Sequence, residues 1–102
     1  MGKTTRVNIP KKQLAQFCEA YHIRRLSLYG SVLRDDFMPD SDIDILIEFE
    51  LGFKTGLLKM AHMENELSNM LGRKVDLRTP GDLSRYFRQE VLERAEVEYA
   101  KG

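Results

Sequence analysis

The sequence predicts an α/β (α+β) domain with a small mixed, largely antiparallel sheet and flanking helices. Three observations carry that expectation. Short runs rich in Ile, Leu and Val, such as Ile43-Asp44-Ile45-Leu46-Ile47 and Val75-Asp76-Leu77, have the length and branching of strands. Longer stretches repeat apolar residues every three or four positions, as amphipathic helices do. A Gly-Ser pair, Gly30-Ser31, closes one strand and, with ten residues between, Asp42-Ile43-Asp44 opens the next, so the two strand ends must meet. Antiparallel neighbours joined by a short helix satisfy that.

The elements follow in order. Residues 1–8 are polar and expected to fray. Pro10 suits the start of a helix over about 10–21, with Leu14, Phe17, Cys18 and Tyr21 inward and His22 at its end. Residues 24–29 alternate as a strand, Leu26 and Leu28 opposing Ser27 and Tyr29, and Tyr29 reads as a packing residue. Strand 42–49 sets its isoleucines on one face and Asp42, Asp44, Leu46 and Glu48 on the other. Its apolar middle suits a strand inside the sheet. After a loop over 50–55, a helix over about 56–71 turns Leu57, Met60, Met63 or Glu64, Leu67, Met70 and Leu71 inward. Gly72 is its C-cap. Residues 73–78 form a short strand with Asp76 opposite Val75 and Leu77. Pro80-Gly81 makes a turn. A last helix over about 82–98 carries Leu83, Phe87, Val91 and Ala95 on one side.

Composition narrows the class. The 102 residues form one domain with a single core, spanning 1–102. The 16 basic and 16 acidic residues cancel, which argues against a nucleic-acid substrate, since such proteins usually carry a basic excess. The single cysteine, Cys18, has no internal disulfide partner and reads as a buried thiol. No apolar run approaches a membrane span and no signal peptide is visible, so the cytoplasm is the default location.

The chemistry concentrates around the Gly-Ser turn. Asp42 and Asp44 project from one strand face, and two carboxylates held that close need a proton or a cation between them. Mg²⁺, a hard ion that takes oxygen ligands and stays partly hydrated, suits such a pair. Gly30 lets a ligand approach the backbone, and Ser31 would open a short helix whose free N–H groups attract an anion. Phosphate on the turn and metal on the carboxylates together describe a nucleoside triphosphate site. Asp40, Asp42 and Asp44 imitate the start of a calcium loop, but Ile45 stands where that loop needs Gly and Leu51 where it needs Glu. Arg34, three residues past Ser31, is placed to reach phosphates or to pair with Asp35, Asp36 or Asp40. Arg78 shares the face of Asp76.

Gly30, Ser31, Asp42, Asp44 and a third acidic residue on a later strand, Asp76, resemble the signature of DNA polymerase beta-like nucleotidyltransferases. Within that superfamily the chain is similar to the minimal nucleotidyltransferase antitoxins that accompany HEPN-domain toxins. The likeness runs from about Ile23 to Tyr99. It implies a palm-like nucleotidyltransferase fold, with ATP as substrate and two Mg²⁺ ions. Asp42, Asp44 and Asp76 match the metal-binding and catalytic positions, Asp76 also matching the group that deprotonates the attacking hydroxyl. Gly30, Ser31 and Arg34 would bind the nucleotide. Larger members carry a further acceptor-binding domain, and 102 residues leave no room for it. The resemblance therefore implies a protein acceptor: a HEPN ribonuclease toxin, neutralised when AMP from ATP is transferred to one of its tyrosines. Tyr86, Tyr99 and several arginines of the C-terminal helix read equally as a docking face for it or as solvated surface plus core. Two other readings stand beside this one. They are an antitoxin that acts by occlusion alone, and a small-molecule nucleotidyltransferase whose acceptor site lies on another subunit.

Overall fold

In the computed structural model, which describes residues 8–33 and 40–101, helix α1 runs over Lys11–Ala20. Leu14, Phe17 and Cys18, spaced i, i+3 and i+4, are its buried stripe. Beyond the cap residue Tyr21, His22 has a left-handed backbone (φ 58°) that turns the chain directly into strand β1, Ile23–Tyr29. A 3-10 turn, Gly30–Leu33, follows β1, and strand β2 covers Ile43–Phe49. Helix α2 is Leu57–Leu71, capped by Gly72 at φ 70°, where a side chain would be strained. Strand β3 is Val75–Arg78, then a 3-10 turn Pro80–Asp82, a short helix α3 at Arg88–Arg94, and strand β4 at Glu96–Ala100.

The four strands lie in the order β3-β2-β1-β4. β1 is antiparallel to β2 and to β4, whereas β3 runs parallel to β2. The sheet is therefore mixed and largely antiparallel, as expected. Leu26, Leu28, Ile43, Ile45, Ile47, Val75 and Leu77 point to one face and join Leu14, Phe17 and Cys18 of α1 and Met63 and Leu67 of α2 in a single core. On the opposite face Ser27 and Leu46, paired across β1 and β2, are also buried, and the Pro80–Asp82 turn packs against β2.

Strand β3 is a sheet edge whose outward amides are occupied from α2. The Val75 N–H donates to Ser68 Oγ (3.0 Å) and the Leu77 N–H to a Glu64 carboxylate oxygen (2.8 Å).

Two expectations fail. The helix expected over 82–98 is only seven residues long, and the chain then extends at Ala95 (ψ 142°) into β4. Glu96–Ala100 meets the open edge of β1, with Leu26 opposite Tyr99 and Leu28 opposite Glu96. Satisfying that edge overrides the helical propensity of Glu and Ala. Tyr99 is thus a strand residue packed against the core rather than part of a helical docking face. Leu57 is the second. The first turn of α2 projects past the core, so Leu57 is 90% exposed while Met63 and Leu67, further along, are buried.

Candidate functional site

The end of β1 and the start of β2 meet as the spacing required. Tyr29 stands opposite Asp44 in the antiparallel ladder, and Asp44 stands beside Asp76 in the parallel one. Because Ile43 and Ile45 face the core, Asp44 must face the other way, and the same alternation in β3 puts Asp76 and Arg78 beside it.

Gly30 fits this site in two respects. Its backbone is left-handed at φ 77°, and a Cβ built on it would lie 2.4 Å from the Asp44 carboxylate. Only a residue without a side chain lets the turn lie against that carboxylate. The next residue holds it: the Ser31 backbone N–H donates to Asp44.

The Asp44 carboxyl is pushed above its ordinary range, first by burial and then by the charge of Asp76, with Asp42 adding to it. The Ser31 N–H and Arg78 pull the other way. Arg78 pairs with Asp76 at 3.2 Å, and this bond is the main reason that its guanidinium holds its proton more tightly than usual. Asp42 lies one residue before β2, is exposed, and has Lys74 Nζ 4.0 Å away. Tyr29, half-buried, has its hydroxyl pushed up to about 12, by burial first and then by Asp44.

Asp42, Asp44, Asp76, Gly30 and Ser31 therefore come together, whereas Arg34 lies outside the described residues. Two neighbours carried less weight in the sequence. Tyr29 read as a packing residue, yet its hydroxyl feels Asp44, Asp76 and Arg78 together. Arg78 is the cation closing the third carboxylate, a place signalled by its spacing two residues beyond Asp76 on a strand.

The donor set suits a hard divalent cation. Asp44 is disfavoured in its charged form, first by burial and then by the charges of Asp76 and Asp42, and a cation beside it would offset both. Among the described residues no three His, Cys, Asp or Glu side chains form a finished metal cage. Mg²⁺ does not require one, because it is commonly held by one or two carboxylates plus substrate phosphates and water.

The nucleotidyltransferase domain family matches residues 10–98. The chain belongs to that family. As a member it is a nucleotidyltransferase, and its relatives carry the name protein adenylyltransferase. One, MJ1217 of Methanocaldococcus jannaschii, is 36% identical over 75 residues, covering 74% of each chain. Another, the protein adenylyltransferase MntA of Thermococcus cleftensis, is 39% identical over 67 residues, 66% of this chain and 63% of that one. A solved protein described as a minimal nucleotidyltransferase superposes with a TM-score of 0.68 at 32% identity, over 83% of this chain and 85% of its own. Two toxin–antitoxin structures share the fold at lower identity. One, holding AMP-PNP, has a TM-score of 0.73 at 17% identity, covering 91% of this chain and 75% of that one. The other is an MNT antitoxin in complex with a tri-AMPylated HEPN toxin from Shewanella oneidensis, with a TM-score of 0.65 at 17% identity over 89% and 70% of the two chains. Among the described residues of this nucleotidyltransferase, no helix is long and apolar enough to cross a membrane.

Proposed function

We propose that this nucleotidyltransferase transfers AMP from ATP to a tyrosine hydroxyl of a HEPN-domain toxin, and so acts as its antitoxin. The observation that carries the reading is the interlock of the Gly30 turn with Asp44, in register with Asp76. A turn for phosphate and a set of carboxylates for an acceptor hydroxyl are built against each other. The names of the relatives and the HEPN complex of the same fold support the choice of a protein acceptor.

Each residue has one task in this reading. The Gly30–Ser31 turn receives the β- and γ-phosphates, leaving the α-phosphorus open on the carboxylate side. Asp42 and Asp44, with a share from Asp76, would hold Mg²⁺, which would supply charge neutralisation on the phosphate oxygens. Asp76 accepts the proton of the acceptor hydroxyl. The hydroxyl oxygen forms its bond to the α-phosphorus as the bond from that phosphorus to the bridging oxygen breaks. Pyrophosphate leaves with the electron pair. Arg78, paired with Asp76, keeps that carboxylate oriented and lends positive charge beside the reacting phosphate. Positioning and electrostatics supply most of the acceleration in such transfers.

Co-expression with the HEPN-domain partner, followed by intact mass of the copurified toxin, tests the reading. The expected result is a gain of one adenylyl unit per modified tyrosine, absent when Asp42 and Asp44 are both changed to Asn. An unmodified toxin in a stable complex with the wild-type chain would favour occlusion instead.

A further inference from the structure

Two cavities flank the carboxylates. One, of about 600 Å³, lies along Tyr29, Gly30 and Leu33 and is closed by Phe87 and Val91. The other, of about 890 Å³, has Asp76, Arg78 and Thr79 on one wall and the β2–α2 loop, from Phe49 to Leu57, on the other. Gly30 borders only the first and Asp76 only the second. In an in-line displacement the attacking and leaving oxygens lie on opposite sides of phosphorus. With pyrophosphate leaving on the Gly30 side, the acceptor enters through the larger cavity.

The outer wall of that cavity carries large apolar side chains left bare. Leu51 is 100% exposed, Leu57 90%, and Phe53 45%; Leu58, beside Leu57, is 89% exposed. Leu57 and Leu58 stand on the first turn of α2, and Leu51 and Phe53 on a braced loop. The Phe53 ring stacks on His22 at 3.8 Å and 9°, the Glu50 N–H donates to the His22 carbonyl (2.8 Å), and the Phe53 N–H donates to the Glu50 carbonyl (3.0 Å). Large apolar side chains gathered beside a site and left uncovered mark a surface that is covered by something else. The cavity's charges are mixed, Lys54 and Arg78 against Glu50, Asp76 and Asp82. That mixture offers no cationic track for a phosphodiester backbone.

We infer that Leu51, Phe53, Leu57 and Leu58 form the wall against which the protein acceptor docks. An apolar segment of the acceptor lies in the cavity and delivers its hydroxyl to Asp76. The inference rests on the adenylyltransferase reading for the identity of the acceptor, and its test separates the two.

The decisive variant is Leu57→Gln/Leu58→Gln. Both side chains are almost wholly solvated, so the fold is unaffected, which circular dichroism verifies. Two quantities are measured with the HEPN-domain protein of the co-expression assay: its affinity for the chain by calorimetry, and the kinetics of AMP transfer to it. The variant is expected to bind the acceptor about tenfold more weakly or worse, as loss of apolar anchors does. Its KM for the acceptor rises correspondingly, with kcat at saturating acceptor and ATP affinity within about twofold of wild type. Leu51→Gln gives the same direction. Tyr86→Ser, which removes a ring that is 88% exposed outside this wall, leaves acceptor affinity unchanged. Unchanged affinity in Leu57→Gln/Leu58→Gln overturns the docking wall even if the wild type transfers AMP, and so does an equal loss in Tyr86→Ser. A wild type that binds through this wall yet transfers nothing overturns the adenylyltransferase reading and leaves the wall standing.

Discussion

Replacing Gly30 by alanine tests the interlock at the centre of the site. The substitution has two costs that can be separated. An L-residue in the left-handed region, as Gly30 is at φ 77°, costs roughly 1–2 kcal/mol. The new Cβ would also stand 2.4 Å from one Asp44 oxygen and 3.3 Å from its Cγ, so the carboxylate must swing away and surrender the Ser31 N–H. A bond to a charged acceptor contributes roughly 1.5–3 kcal/mol when buried; at this half-exposed position, where water replaces it, about 1 kcal/mol is a fair share. The sum is about 2–3 kcal/mol, on the order of 10 °C or more in Tm for a domain this size. In an Asp44→Ala background the second cost vanishes, leaving only the backbone strain of roughly 1–2 kcal/mol. A double-mutant cycle by urea denaturation therefore yields a coupling of about 1 kcal/mol, beyond the few tenths expected of independent sites. Equal costs in both backgrounds would refute the interlock. A cost of Gly30→Ala under about 0.5 kcal/mol would refute the backbone argument as well.

Other expectations follow from the same geometry. ATP binding measured by calorimetry requires Mg²⁺, because the carboxylates that crowd Asp44 repel a triphosphate; equal affinity in excess chelator would remove the metal from the site. Asp76→Asn retains more nucleotide affinity than Asp44→Ala but loses AMP transfer, and near wild-type transfer would exclude Asp76 as the base. In metal-free buffer Asp44→Asn melts a few degrees higher than wild type, since the amide oxygen still accepts from Ser31 while the charge facing Asp76 is gone; a lower Tm would contradict the electrostatics. The Cys18 thiol, pushed up to about 12 by burial, stays unreactive towards a thiol reagent at pH 8 until the chain unfolds. Its folded pKa lies above the unfolded one, so its contribution is intact below about pH 9 and is lost as pH rises towards 12, at no more than about 1.4 kcal/mol per unit. Cys18→Ala should lack that share of the alkaline slope.

Much of this arrangement was legible in local chemistry. The run from β1 through Gly30-Ser31 to β2 is written in short-range signals: strand alternation, a turn glycine and a fixed spacing. The Gly72 cap and the Met63–Leu67 stripe are local in the same sense. β4 was not legible, because Glu96–Ala100 becomes a strand only where β1 leaves an unpaired edge, a condition set by residues some seventy positions away. Leu57 followed the helical period faithfully, but periodicity says nothing about where the core beneath a helix ends. Tyr29 looked like packing because its hydroxyl acquires meaning only once β2 and β3 bring Asp44 and Asp76 alongside.

The capping of β3 by Ser68 and Glu64 has a consequence for assembly. Those two side chains take the donors that an incoming strand would use, so the β3 margin cannot recruit another chain by sheet extension. Glu64→Ala would leave the Leu77 amide bare and reopen that margin, at a stability cost of roughly 1.5–3 kcal/mol for the lost charged acceptor. Oligomers built edge to edge through β3, or fibrils seeded there, should follow that one change. In the wild-type chain, contact with another protein on this side is left to side chains, whose chemistry discriminates between partners far better than a row of identical backbone groups.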